Sequence, residues 1–261
     1  MNFTDSDSEK WLRRYHPSAT SGARLICFPH AGGSASYYHP VSAYFPPDVD
    51  VIALQYPGRQ DRRMEPCITD LGVLADRITA QITGLSEMPT VLFGHSMGAI
   101  LAFEVAWRLE RDFPGRGARV PLSVIASGRR APGIVRPETI HQRDDAGLLD
   151  EIRMLNGTRS TILDDEEILR IALPALRGDY RAIETYPGAE GRVLDAPLTV
   201  LVGDSDPRTK VEDALAWKAH TSGAFRMEVF SGGHFFLADH ARAVNAEIAK
   251  EVALIGSRVT P

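Results

Sequence analysis

Short apolar segments recur along the chain, and longer segments between them repeat apolar residues every three or four positions. Unbroken apolar runs are typical of strands buried on both faces, and the longer repeat is typical of amphipathic helices. Because the two patterns alternate, we predict an α/β fold with a mostly parallel central sheet and helices on both faces. The predicted strands are 24–28, 50–54, 90–94, 122–127, 197–203 and 225–230.

Three helices are predicted between or after these strands. The first covers 69–84 and has Thr69 or Asp70 as its N-cap, since either side chain can accept a hydrogen bond from the first turn. The second covers 97–111, directly after a strand, and the third covers 239–256.

The alternation stops once, for about 70 residues between the strands at 122–127 and 197–203. This stretch contains two helical patterns, 144–155 and 164–186, and Pro174 is expected to bend or divide the second. A helical insertion late in a sheet enzyme is typical of a lid, so we predict a lid over 136–189. The alternative is a loop decoration without that function.

The rest of the chain is predicted to form one α/β core, from residues 21–135 and 190–261. Residues 1–20 are polar and are expected to be a flexible lead-in that becomes ordered near Trp11. A chain of 261 residues with 44% hydrophobic and 24% charged residues suits one such domain.

The composition argues against several classes of protein. The net charge of −5 is not that of a nucleic-acid binder. The sequence shows no apolar run long enough for a membrane span and no secretory signal, so we expect a cytoplasmic protein. Its two cysteines, Cys27 and Cys67, suit reduced thiols, although their spacing leaves a disulfide open. No zinc-ligand spacing, phosphate loop or dinucleotide fingerprint occurs, so neither metal nor cofactor is expected.

One motif carries chemistry of its own: residues 94–98 read GHSMG, a Gly-x-Ser-x-Gly sequence. It follows a predicted strand and opens a predicted helix, which is the setting of a nucleophile elbow. The glycines permit a tight turn that exposes the serine above the sheet. We therefore predict Ser96 as a nucleophile.

A serine nucleophile needs a base and an orienting carboxylate, which in this architecture follow in the order acid, then histidine. His234 lies after the last predicted strand and is the candidate base. Asp204 and Asp206 both follow the strand at 197–203. Asp206 is favoured because the residue before a proline is held extended, and Asp204 is expected to cap the loop.

The oxyanion of such an enzyme is stabilised by two backbone N–H groups. Met97, after the nucleophile, is one expected donor, and Ala31 in the PHAGG loop is the other. His30 and His95 are interpreted as structural residues around this site. Cys27 is interpreted as a buried strand residue and not as a nucleophile.

Together these segments resemble the stand-alone type II thioesterases that accompany modular polyketide and nonribosomal-peptide synthases. The resemblance spans about 210 residues. The motifs that carry it are CFPHAGGSASYY (27–38), LQYPGRQDRR (54–63), FGHSMGAILAFEVA (93–106), ASGRRAP (126–132), LPALRGDYRAIETY (173–186), GDSDP (203–207) and GGHFFL (232–237).

The resemblance implies an α/β-hydrolase fold with a mobile helical lid. It implies hydrolysis of acyl groups held as thioesters on the phosphopantetheine arm of carrier proteins, which clears aberrant or stalled units. It also implies that Ser96, Asp206 and His234 form the triad and that Ala31 and Met97 bind the oxyanion. The enzyme would need no cofactor of its own, because the phosphopantetheine belongs to the partner.

A carrier protein is expected to be acidic, so a net-negative enzyme would dock through local basic groups. We expect the enzyme to be a monomer. The alternative for these arginines is that they are solvated or paired with internal acids such as Asp61 and Glu65. The candidates are Arg59, Arg62, Arg63, Arg129 and Arg130.

Other functions stay open on the same fold. A thioesterase that terminates fatty-acid chains or an esterase for small molecules would use the same triad. Transfer of the acyl group to a nucleophile other than water is a further alternative. A carrier-binding module without catalysis is disfavoured, because the predicted triad is intact.

Overall fold

A computed structural model of the chain describes residues 5–18, 20–112, 123–156 and 166–259. Within these ranges, seven strands form one sheet in the order β1-β3-β2-β4-β5-β6-β7, parallel except for β1, which runs antiparallel to β3. The predicted α/β class is confirmed. The strands are β1 Leu12–Arg13, β2 Ala23–Phe28, β3 Val49–Leu54, β4 Thr90–His95, β5 Ser123–Ser127, β6 Leu198–Gly203 and β7 Phe225–Phe230.

Helices cover both faces of the sheet, which explains why β2 to β6 are buried along their whole length. Alternate side chains of a strand point to opposite faces. The α-helices are α1 Asp5–Trp11, α2 His39–Tyr44, α3 Leu71–Ile82, α4 Met97–Asp112, α5 Asp145–Asn156, α6 Glu166–Glu184, α7 Val211–Leu215, α8 Phe236–Asp239 and α9 Ala241–Val259.

Each face of the sheet has its own apolar core. In β2, Ile26 packs in the core that includes α3 and α4, whereas Leu25 packs in the core that includes α8 and α9. Asp70 caps α3 by accepting a hydrogen bond from the Val73 N–H, as one of the two predicted caps. These layers hold the carboxyl ends of the strands in place, where the predicted site residues lie.

Residues 5–18 of the predicted lead-in over 1–20 are among the described residues. Helix α1 and strand β1 lie within it, and the Trp11 side chain is 8% exposed. The Trp11 carbonyl accepts a hydrogen bond from the Gln55 N–H at 2.9 Å. Two strand residues are too few to show a hydrophobic period, so this edge strand has no signal in the sequence.

Helix α6 continues through Pro174 and is not divided there. Its apolar face includes Leu173 and Leu176, which are buried on either side of the proline. Burial of that face stabilises the helix against the loss of one backbone hydrogen bond.

Helices α5 and α6 of the predicted lid pack over one loop of the core. Leu148 of α5 and Leu176 of α6 share an apolar cluster with Ile140 and with Ala31, which follows β2. Part of the predicted lid, residues 157–165, lies outside the described residues. The described part therefore covers the loop in which an oxyanion donor is predicted.

Two searches of the described ranges bear on other classes of site. None of the helices there combines the length and hydropathy that crossing a bilayer requires. Within the same ranges, no three His, Cys, Asp or Glu side chains are grouped so that they could hold a metal ion.

Candidate active site

Ser96 occupies the sharp turn between β4 and α4. Its φ of 57° lies in the left-handed region, which non-glycine residues seldom adopt and which marks strain at a functional turn. The Ser96 N–H donates to the Ser127 carbonyl at 2.8 Å, and the Ser96 carbonyl accepts from the Ala99 N–H at 3.0 Å. The turn therefore holds Ser96 at the amino end of α4, where the helix dipole favours negative charge.

Gly98 allows the elbow to lie against the end of β2. A Cβ atom at Gly98 would be 2.0 Å from the Phe28 carbonyl oxygen, which is backbone and cannot move aside. We expect Gly98→Ala to lower the free energy of unfolding by about 3 kcal/mol, measured by urea denaturation. Gly22→Ala is the matched control, because no heavy atom lies within 4 Å of the added Cβ. Equal stability of the two variants would contradict this packing.

His234 and Asp206 form a buried pair beyond β7 and β6. His234 Nδ1 lies 2.8 Å from Asp206 Oδ2, and the two side chains are 3% and 0% exposed. The other carboxylate oxygen, Oδ1, accepts hydrogen bonds from the Arg208 N–H at 2.8 Å and the Thr209 N–H at 3.2 Å. Asp206 is thus fixed from two sides and oriented to receive an N–H from the imidazole.

Asp204, the other candidate acid, lies at the surface and has different partners. Its Oδ1 accepts from the Gly232 N–H at 2.9 Å and from the Ser205 hydroxyl at 2.7 Å. These bonds, first that of Ser205 and then that of Gly232, lower the pKa of the Asp204 carboxyl. The residue holds two loops together, in line with its expected capping role.

A cavity of about 410 Å³, including the part open to solvent, joins the predicted groups. Ser96, Met97, Ala31 and His234 all contribute to its wall. The structure therefore brings the predicted nucleophile, the predicted base and both predicted oxyanion donors to one cavity. Its remaining wall comes largely from the predicted lid and from the loops after β5 and β6.

The wall of the cavity combines apolar side chains with charged ones. Glu138, Glu151 and Glu184 line it, together with Arg208. Arg208 forms an ion pair with Glu151, and Glu184 accepts from the His141 N–H at 3.0 Å. These carboxylates have partners within the protein, so they make the wall more polar while their negative charges are paired.

Arg129 also lines this cavity and a neighbouring one of about 300 Å³. Its Nε atom is buried, and no described residue supplies a hydrogen-bond partner for it. Burial, and then the charge of Arg130, lower the pKa of Arg129 to about 10. The group remains cationic at neutral pH and is poorly compensated by its surroundings.

Two further histidines lie near His234, the predicted base. The His95 ring lies 5.0 Å from the His234 ring and 6.1 Å from the His30 ring, measured between centroids. Burial lowers the pKa of His30 to about 3 and that of His95 well below its ordinary value, and the charge of His234 adds to both shifts. Both imidazoles are therefore uncharged at neutral pH, as suits their structural interpretation.

Both cysteines are free thiols. Cys27 lies inside β2 and is fully buried, which raises the pKa of its thiol far above the ordinary value. Such a thiol is not ionised at neutral pH, so it is a packing residue and not a nucleophile.

Three of the five arginines predicted to dock a carrier protein are buried. Arg59, Arg62 and Arg130 are 6%, 5% and 4% exposed. A buried guanidinium in an internal ion pair cannot contact the surface of a partner, so the docking prediction is corrected for these three. Their carboxylate partners are Asp179, Glu65 and Glu138.

The other two arginines differ from each other. Arg63 is exposed, and its docking role stays a prediction. Arg129 faces the cavity beside Ser96 instead of an open surface. Net charge and position in a loop do not predict which of these arginines is exposed, because burial depends on how the loops pack.

Several residues of the site were not identified from the sequence. Glu138, Glu151, Glu184 and Tyr180 line the cavity, and all four belong to the predicted lid segment. The available signal was the LPALRGDYRAIETY segment, which contains Tyr180 and Glu184. It marked the region but not the direction of each side chain.

A comparison with family models decides the family. The thioesterase domain model matches residues 23–252, which is most of the chain. The chain belongs to the thioesterase domain family. This match contains every residue of the cavity wall described above.

Two relatives of this thioesterase are themselves named as thioesterases. It is 60% identical over 257 residues to a Streptomyces griseus protein named "Probable cadicidin biosynthesis thioesterase", covering 98% of this chain and 69% of that protein. It is 44% identical over 244 residues to "Thioesterase PikA5" of Streptomyces venezuelae, covering 93% and 85%.

A solved structure shows the same architecture. The type II thioesterase BorB from the borrelidin biosynthetic cluster superposes with a TM-score of 0.87 at 43% identity, over 97% of this chain and 100% of that one. The resemblance to type II thioesterases and the α/β-hydrolase fold predicted from it are therefore confirmed.

Proposed function

We propose that this thioesterase hydrolyses acyl groups held as thioesters on the phosphopantetheine arm of carrier proteins in polyketide or nonribosomal-peptide synthesis. Its role would be the release of aberrant or stalled acyl groups. The observation that carries the proposal is the buried His234–Asp206 pair facing the same cavity as Ser96. The names of the relatives, thioesterases of cadicidin and borrelidin biosynthesis, support the substrate class.

In the first step, the Ser96 hydroxyl attacks the thioester carbonyl and His234 takes its proton. Asp206 holds Nδ1–H of the imidazole, which leaves Nε2 as the base and stabilises the imidazolium. The N–H groups of Ala31 and Met97 bind the oxyanion that forms. Collapse of this intermediate breaks the C–S bond, and the pantetheine sulfur leaves as the thiol after taking the proton from His234, which restores the neutral imidazole for the second step.

In the second step, water attacks the acyl-serine ester. His234 takes a proton from the water, and the same two N–H groups bind the second oxyanion. Breaking the ester bond returns a proton to Ser96 and releases the carboxylic acid. The residues of this chain thus account for both steps.

The cavity wall favours short acyl groups over long ones. A long alkyl chain in contact with the Arg208–Glu151 ion pair and with Glu138 would remove these charged groups from water, which is unfavourable even for paired charges. We expect kcat/KM for a propionyl-carrier to exceed that for a palmitoyl-carrier at least about tenfold. The measurement is mass spectrometry of loaded carrier protein over time.

The same experiment tests the proposed function. Loss of the acyl mass from the carrier, with appearance of the free acid, is the expected result. Carrier incubated without enzyme gives the spontaneous rate. Faster release of palmitoyl would support a chain-terminating thioesterase. Transfer of the acyl mass to another acceptor would support acyl transfer, and no release from any carrier would contradict the proposal.

A further inference from the structure

Helix α6 of the lid bonds directly to the loop that follows β2. Asp179 of α6 is 1% exposed, and its Oδ2 accepts a hydrogen bond from the Gly32 N–H at 2.8 Å. Gly32 is the residue after Ala31, the proposed oxyanion donor. A lid carboxylate therefore orients the peptide group next to the catalytic N–H.

Arg59 reinforces this contact from a third segment of the chain. Its Nη1 and Nη2 donate to the two oxygens of Asp179 at 2.6 and 2.8 Å, a bidentate pair. Nη1 also donates to the Gly33 carbonyl at 3.1 Å. Burial would lower the pKa of Arg59, but the Asp179 carboxylate outweighs that effect and raises it.

Side-chain packing brings the same helix and loop together. Gly32 has a φ of 75°, and a Cβ atom there would be 2.7 Å from Leu176 Cδ1 of α6. Ala31 packs against the apolar cluster that contains Leu176. The loop after β2 and helix α6 thus make both apolar and charged contacts with each other.

We propose that Arg59 and Asp179 are a positioning pair that holds helix α6 of the lid against the loop of Ala31, Gly32 and Gly33, here called the oxyanion loop. The pair thereby keeps the Ala31 N–H in its catalytic direction. Neither residue is among those that line the cavity, so the pair acts through the backbone of the loop. The inference rests on the proposed function, in which Ala31 binds the oxyanion. Removing the pair would weaken binding of the transition state more than binding of the substrate.

Removing one partner alone would leave a buried charge without compensation and would destabilise the fold. The informative variant is the double substitution Arg59→Met with Asp179→Leu, which removes both charges. It leaves the Gly32 N–H and the Gly33 carbonyl without the partners they have now. We expect kcat to fall roughly 10–100-fold while KM changes less than about twofold.

A pantetheine-linked trifluoromethyl ketone gives a second readout. Ser96 adds to its carbonyl and forms a stable mimic of the tetrahedral intermediate. We expect the double variant to lose affinity for this inhibitor by the same factor as kcat. A purely structural role of the pair would lower the melting temperature without moving kcat and inhibitor affinity together.

A conservative variant tests whether the Gly32 contact is the cause. Arg59→Met with Asp179→Asn keeps an oxygen that accepts from the Gly32 N–H but carries no charge. We expect its kcat to recover several-fold relative to the Leu variant. Equal kcat in the two double variants would overturn the proposal, as would wild-type kcat in both.

A buried ion pair at the opposite edge of the sheet is the matched control. Arg24 Nε lies 2.9 Å from Asp50 Oδ2 at the amino ends of β2 and β3. Arg24→Met with Asp50→Leu is expected to change stability but not kcat. Should the Asp179→Leu double variant not fold, Asp179→Glu keeps both charges but moves the carboxylate by one methylene relative to the Gly32 N–H, and wild-type kcat in it would overturn the proposal.

The outcomes separate this inference from the function on which it rests. If the wild-type enzyme releases no acyl group from any carrier, the proposed function fails whatever the variants do. If wild type is active and both double variants keep wild-type kcat and inhibitor affinity, only the positioning role fails.

Discussion

Ser96→Ala is expected to lower kcat for an acyl-carrier thioester by about 10⁴–10⁶-fold. Without the hydroxyl, His234 has no nucleophile to activate and no acyl-enzyme forms. The remaining N–H groups of the oxyanion site polarise the carbonyl, so a small rate above the spontaneous one persists. The measurement is the loss of acyl mass from the loaded carrier, with a search for acyl mass on the enzyme.

The fold should survive this substitution, because the elbow is held by backbone hydrogen bonds of Ser96 that alanine retains. The positive φ at this position is only slightly less favourable for alanine than for serine. Ser36→Ala is the matched control, since Ser36 is exposed and lies outside the cavity. Activity of Ser96→Ala within a hundredfold of wild type would exclude Ser96 as the nucleophile.

Asp206→Asn is expected to lower kcat by about 10³–10⁴-fold. The amide oxygen can still accept from the Arg208 and Thr209 N–H groups that bond Oδ1 now. The amide NH₂ then faces His234 Nδ1 and donates to it. This places the imidazole proton on Nε2, so the ring cannot accept the proton of Ser96.

Asp204→Asn is the paired variant and is expected to change kcat less than about threefold. Asp204 bonds only the Gly232 N–H and the Ser205 hydroxyl among its described contacts, and an amide oxygen can accept both. Kinetics of the two variants on the same acyl-carrier are the measurement. A larger loss with Asp204→Asn would assign the acid to Asp204 and contradict the proposed triad.

The parallel sheet could be predicted from the sequence because its central strands are buried on both faces, and such strands are continuous apolar runs. Every predicted strand matches an observed one to within one or two residues. Strand β1 was not predicted because a two-residue edge strand has no period. Short helices such as α7 and α8 were missed for the same reason.

Pro174 shows the limit of a local rule. A proline disfavours the middle of a helix, and a bend or a break was expected there. Helix α6 continues because its apolar face packs on the oxyanion loop, a contact between residues far apart in sequence. Tertiary packing outweighed the local preference.

The arginines show the same limit for charge. Five arginines on predicted loops suggested a basic docking surface, yet three are buried and paired with acids: Arg59 with the distant Asp179, and Arg62 and Arg130 with the nearby Glu65 and Glu138. A sequence shows which residues carry charge but not which of them are desolvated. Desolvation and ion pairing depend on the folded arrangement.

The order of elements along the chain was enough to predict the nucleophile elbow, because the elbow consists of a strand, a turn and a helix that are adjacent in sequence. The order of serine, acid and histidine was predicted from the same succession of elements. Asp206 was favoured over Asp204 because it precedes a proline, but the contact of His234 with Asp206 depends on tertiary structure, since two carboxylates two residues apart differ in the direction of their side chains. The bond between Asp179 and the oxyanion loop joins residues 147 positions apart, and only the packing of α6 on the core brings them together.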